Sequence, residues 1–317
     1  MKAFFAICLV LILALSGCGA TPQGGAPEPP APTEPPTPPG QEEQAGQGRT
    51  GIPGLNAENY PLVDGSTANM PLLAKLYSEI CGVSVEEAES MVSVSGGTGA
   101  AWRSFLWGGS DILIVYEAPD GIPEEFEEAG IQLEIDPIGR DGLVFLVNKA
   151  NPVNDLAAGQ LRDIYTGRIT DWQDAGGAPG PITAFQRNPD SGSQTLFLKL
   201  LMDGIEPMKP PVELVPASMS GFIEAVAGFD GSGGAIGYSV FYYADLMYAN
   251  PDLKILSVDG VAPSFDSISG GEYPLINDFY IVIRADAPSG SPERLLRDWL
   301  LTDEGAALLK EARYVPV

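Results

Sequence analysis

Apolar residues fall into short unbroken runs separated by stripes at helical spacing. Asp111–Tyr116, Leu143–Val147 and Phe279–Ile283 are runs of the first kind, and each predicts a buried strand. Met91–Ser95 alternates apolar and polar positions and predicts another, as does Ile182–Gln186. Ala100–Trp107 reads as a helix with Trp102, Phe105 and Leu106 on one side, and Pro123–Ala129 as an acidic helix. Gln160–Tyr165, Ser193–Met202, Gly221–Ala227, Ser291–Leu301 and Ala306–Ala312 carry the same helical period. Alternation of strands and helices from Pro53 to Val317, without internal repeat, predicts an α/β fold.

The pattern changes toward the N-terminus. Lys2 precedes an apolar run from Phe4 to Leu15, too short to span about 30 Å of hydrocarbon. Residues 1–17 therefore read as a signal peptide. Leu15-Ser16-Gly17-Cys18 resembles the lipobox of bacterial lipoproteins, which implies that Cys18 becomes the acylated first residue and Cys8 is discarded. An ordinary signal peptide cut elsewhere is the alternative. Residues 21–48 hold nine prolines and five glycines with almost no large apolar side chain. Such a segment buries too little surface to offset its ordering entropy. Residues 18–53 are thus read as a Pro/Gly-rich tether that reaches roughly 80–90 Å if extended at ~3.1 Å per residue. Cys81 is then the one thiol left in the folded part, where a small half-hydrophobic side chain needs no special role.

Charge and composition narrow the function. The 317 residues carry 42 acidic and 17 basic side chains and no histidine, a net charge of −25. That balance argues against nucleic acid, whose phosphates are gripped by Lys and Arg. The missing histidine removes His-dependent triads and zinc sites of the HExxH kind. No cofactor motif is present: the glycines at 231–237 lack the GxGxxG register. Glu117, Asp190 and Ser191 could in principle serve a hydrolase, but no G-x-S-x-G elbow accompanies them. A binding protein rather than an enzyme is expected.

Three turns look suited to an anion. They are Asp64–Asn69, Ser95–Gly99 and Arg187–Thr195, each read as a strand-to-helix turn rich in glycine and hydroxyl side chains. Such turns aim backbone N–H groups and the positive end of a helix dipole at one point. Each alone could be a helix cap. The third adds Arg187, whose guanidinium can fork to an oxyanion.

Residues 60 to 317 resemble a known family. Leu161–Trp172 (LRDIYTGRITDW) is similar to the LRDIFTGKITNW stretch of PstS-type phosphate-binding proteins of ABC importers. Val147–Val153, Arg187 with Ser191–Ser193, Gly234–Tyr238 and Tyr314–Val317 fit further motifs of that family in order. The resemblance implies a two-lobed type II periplasmic-binding-protein fold with two hinge crossovers. Lobe one would be 55–147 plus 273–317 and lobe two 148–272, with Leu143–Val147 and Phe279–Ile283 as the hinge pair. It implies that Ser66, Thr67, Glu117, Arg187, Ser191, Gly192 and Ser193 bind phosphate or a similar oxyanion. Two positions depart from the family. Tyr116-Glu117 replaces the usual Ser-Asp, and Ala100 and Ala101 stand where a hydroxyl is usual. The implied role is a monomeric lipoprotein held through Cys18 at the outer face of the cytoplasmic membrane, delivering phosphate to an importer permease. A sensor or scaffold version of the fold, or a binder of another small anion, is the alternative.

Overall fold

A computed structural model describes residues 51–210, 215–229 and 234–317. The signal peptide, Cys18 and most of the tether lie outside the described residues. In chain order the regular elements begin with β1 (Val63–Gly65), α1 (Met70–Cys81), α2 (Val85–Met91), α3 (Thr98–Leu106), β2 (Ile112–Val115) and α4 (Ile122–Glu128). The long strand β3 (Leu133–Asn148) follows, then β4 (Asp155–Leu156), α5 (Ala158–Tyr165) and β5 (Thr183–Ala184). Next come α6 (Gly192–Leu196), continued by a π-helical turn over Phe197–Met202, then α7 (Met219–Gly228) and β6 (Ala235–Val240). A second π-helical segment, Tyr242–Met247, leads to β7 (Leu253–Ile255), β8 (Ser257–Val258) and α8 (Phe265–Ser269). The chain ends with β9 (Ile276–Arg284), α9 (Pro292–Leu300), α10 (Asp303–Glu311) and β10 (Val315–Pro316).

β3 organises the molecule because its two halves belong to different sheets. Leu133–Gly142 pairs antiparallel with β9, which pairs in turn with β2, and β2 runs parallel to β1. Leu143–Val147 pairs instead with β6, which runs parallel to β5, while β7 takes Leu146–Asn148. Of the two segments expected as the hinge pair, Leu143–Val147 pairs with β6 and Phe279–Ile283 pairs with β3 and β2. The exchange of partners falls earlier, at Gly142–Leu143, where the Leu143 amide still donates to the Leu275 carbonyl at 2.8 Å. Leu143–Val147 thus belongs to the second sheet, five residues ahead of the boundary expected at 147/148.

The buried runs form the elements they predict. β2 is buried at every position, and α1 presents Leu72, Leu73, Leu76 and Ile80 to the same core. Trp102, Phe105 and Leu106 of α3 pack against Phe126 of α4. In the second half, Phe197 and Tyr238 stack at 4.4 Å, and Tyr165 meets both rings edge-on at 4.7 and 5.6 Å. Met91–Ser95 differs from expectation: Met91 closes α2 and the rest is irregular, with Val92 and Val94 still packed on the core. Its alternation reports half-burial rather than strand pairing. Ser84 caps α2 by accepting from the Glu87 amide. Among the described residues no helix is long and apolar enough to cross a membrane.

Candidate functional site

The turn after β1 presents Ser66 and Thr67 at the carboxyl end of a parallel strand pair, the usual ligand position of open α/β sheets. The Ser66 hydroxyl accepts from the Tyr116 amide at 3.1 Å and shares a 2.8 Å hydrogen bond with the Thr98 hydroxyl. Thr98 opens α3, so the second turn ends on a helix N-terminus. The two turns are tied together by the buried Asp64 carboxylate, which accepts from the Ser95 amide at 2.9 Å and the Ser95 hydroxyl at 2.5 Å.

The third turn leaves β5 and ends at Ser191, the N-cap position just ahead of α6. Ser191 and Ser193 hydroxyls lie 3.0 Å apart. The Arg187 backbone is pinned: its amide donates to Gln194 Oε1 at 3.1 Å and to the Tyr238 hydroxyl at 3.0 Å. The Arg187 side chain is only 7% exposed, its Nε has no hydrogen-bond partner, and no carboxylate among the described residues pairs with it. The guanidinium rests 5.5 Å from the centre of the Phe222 ring and against Met219. Burial lowers its pKa to about 10, so it stays charged at neutral pH. A buried cation with an unsatisfied donor is costly unless an anion completes it.

The turns meet across a cleft. The Gly99 amide donates to the Asp190 carbonyl at 2.9 Å, and Arg103 bonds the Asp190 carboxylate at 2.7 Å. Gly192 packs so closely on Thr98 that a Cβ there would lie 2.3 Å from Thr98 Oγ1. Behind this contact a cavity of about 500 Å³ remains, walled by all three turns and by the start of α7.

Ser66, Thr67, Arg187, Ser191, Gly192 and Ser193 all line that cavity. Glu117 does not, which corrects the expectation for it. Tyr116 turns inward and donates from its hydroxyl to the buried Asp141 at 2.6 Å. Successive residues of an extended chain face opposite ways, so Glu117 faces outward and pairs with Lys199 at 2.5 Å. Ala100 lines the wall and brings no donor, but Thr98, two residues earlier, supplies the hydroxyl. The wall also contains Ser218, Met219, Ser220 and Tyr243, which the three-turn reading missed. For the serines the signal was the pair Ser218 and Ser220 at the start of an apolar helix, where Ser218 accepts from the Gly221 amide as a cap.

Comparisons with known proteins agree with this geometry. A family model described as a PBP superfamily domain matches residues 41–303. The phosphate-binding protein PstS of Bacillus subtilis is 29% identical over 177 residues, 56% of this chain and 55% of that protein. The chain thus spans about half the length of that relative. PstS of Staphylococcus epidermidis is 26% identical over 262 residues, 80% of this chain and 77% of that protein. Among solved structures, a putative phosphate ABC transporter substrate-binding protein with bound phosphate from Clostridium perfringens superposes with a TM-score of 0.58 at 25% identity. That match covers 83% of this chain and 99% of the other. An ABC-type phosphate transport receptor from Vibrio cholerae shares the fold with a TM-score of 0.56 at 22% identity, over 82% of this chain and 99% of that one.

Proposed function

Since the chain belongs to the PBP superfamily, we propose that it is an extracytoplasmic solute-binding protein that captures phosphate between its two sheets and presents it to an ABC importer. The observation that carries this reading is the buried Arg187 guanidinium, with its unpartnered Nε, in the wall of a cavity rimmed by hydroxyls and helix N-termini. The relatives named for phosphate binding support phosphate as the ligand. In this reading Arg187 and the start of α6 grip the anion from one side, and Ser66, Thr67 and Thr98 close on it from the other. Closure across the Gly142–Leu143 exchange is a hinge motion. The protein acts as a monomeric binder without catalysis, and acylation at Cys18 holds it at the outer face of the cytoplasmic membrane.

Titration calorimetry with phosphate tests the reading. Arg187→Ala strips a charged donor from a desolvated site and should weaken binding by about 2 kcal/mol or more, roughly thirtyfold. Arg162→Ala and Arg168→Ala, which lie on and beside α5, should leave it near wild type. Equal losses in all three variants would place the anion elsewhere.

A further inference from the structure

Two ion pairs cross from the half built on β2 to the half built on β6. Arg103 of α3 bonds the Asp190 carboxylate at 2.7 Å, and Glu117, just after β2, meets Lys199 at 2.5 Å. An exposed ion pair within one rigid body adds little to stability. A pair that spans a hinge acts differently. It forms only when the cleft is closed, so its whole contribution falls on the closing equilibrium.

The Glu117–Lys199 pair stands on rigid mounts. Tyr116, beside Glu117, is fixed through its hydroxyl to Asp141, and its amide holds the Ser66 hydroxyl of the first turn. Lys199 lies in the π-helical turn that continues α6, where Phe197 stacks on Tyr238 at 4.4 Å. The two charges thus grow from the same supports that carry Ser66 on one side of the cavity and Ser191 and Ser193 on the other. An anion that draws those supports together also brings Glu117 onto Lys199, and the coupling is reciprocal.

The Arg103–Asp190 pair holds less firmly. Arg103 has Glu125 of its own half at 3.7 Å and trades one carboxylate for another as the cleft opens. Lys199 has no second carboxylate partner among the described residues. Its side chain is 53% exposed and that of Glu117 36%, so dissolved salt reaches and screens the pair.

We propose, resting on the phosphate reading, that the Glu117–Lys199 pair is a salt-sensitive latch that sets how long the closed form holds its anion, while the cavity wall sets which anion enters. Release of labelled phosphate, chased with excess unlabelled phosphate, tests this. Glu117→Lys and Lys199→Glu each set like charges across the cleft, yet they shift the net charge in opposite directions. Each should release phosphate about fivefold faster than wild type or more, and the double variant, with the pair reversed, should return to within about twofold of it. Raising NaCl from about 0.05 to about 0.5 M should speed release from wild type and leave Lys199→Gln unchanged. Wild-type release in both like-charge variants would overturn the inference and leave the phosphate reading standing. A reversed pair as fast as the single variants would overturn it too, as would a full salt response in Lys199→Gln. Should a like-charge variant fail to fold, Lys199→Gln decides, since it removes the pair without repulsion: release about two- to fivefold faster supports the latch, and an unchanged rate overturns it. If the wild type binds sulfate but not phosphate, the phosphate reading falls and the same rates with labelled sulfate decide the latch. Binding of neither anion would overturn both.

Discussion

Gly192→Ala probes the contact that closes the cleft. Gly192 is the first residue of α6, and alanine adopts helical backbone without strain, so the substitution itself costs the helix nothing. The difficulty lies across the cleft. The new methyl would sit 2.3 Å from Thr98 Oγ1 and 3.2 Å from Thr98 Cβ, whereas ordinary contact starts near 3.4 Å. Thr98 cannot swing aside freely, since it is β-branched and its hydroxyl is bonded to Ser66 at 2.8 Å. Closing then requires the cleft to stay about 1 Å wider or the Ser66–Thr98 bond to break. Overpacking of this kind costs about 1–3 kcal/mol. Because only the closed state carries that cost, phosphate affinity should fall about 5- to 150-fold. The melting temperature of the unliganded protein should hold or rise. Calorimetric titration and thermal melts of Gly192→Ala, Thr98→Ala and the double variant measure both effects. The double variant should lose less affinity than the two single losses combined, since Thr98→Ala removes the clashing oxygen. Wild-type affinity in Gly192→Ala, or strictly additive losses, would refute a closed state built on this contact.

Other expectations follow from individual side chains. Glu117→Gln should leave the phosphate-to-sulfate affinity ratio within threefold of wild type, because the carboxylate serves an exposed pair with Lys199; a tenfold change would return Glu117 to the site. Burial raises the pKa of Asp141 to about 6, against its hydrogen bonds from Tyr116, Gly142 and Tyr242. The folded state therefore holds a proton that the unfolded chain has released between about pH 4 and pH 6, and this group's contribution to stability falls as pH rises through that window. The loss amounts to about 3 kcal/mol at ~1.4 kcal/mol per pKa unit. Urea melts of Asp141→Asn should lack that component of the pH dependence, and slopes equal to wild type from pH 4 to 6 would contradict the assignment. Cys18→Ser should release the protein from the membrane fraction, and unchanged retention with unchanged processing would rule out acylation there.

The residues that carry the fold were legible because they combine strong period with strong burial. Ile112–Val115 and Leu143–Val147 are apolar at every position and could hardly sit outside a sheet core. Their pairing was not legible. β3 changes partners at Gly142–Leu143, and an apolar run says nothing about which strand lies beside it. The anion side of the cleft was visible as hydroxyl- and glycine-rich turns, since helix N-termini advertise themselves through short polar side chains. Glu117 was misplaced for a physical reason. A carboxylate at the end of a buried strand has two directions available, and the bulk of Tyr116, with a hydroxyl seeking Asp141, took the inward one. Tyr243, near the start of a π-helical segment, reaches the cavity only through tertiary packing, so no local signal marked it.

The central claim is that one anion bridges Arg187 and the hydroxyls of the opposite turns. A crystal structure of the protein grown with phosphate tests it most directly. The account predicts a phosphoryl group within hydrogen-bond distance of the Arg187 guanidinium and of the α6 N-terminus, with Ser66, Thr67 or Thr98 completing it from across the cleft. An empty cavity in a protein that calorimetry shows to be saturated, or phosphate bound away from Arg187, would contradict it.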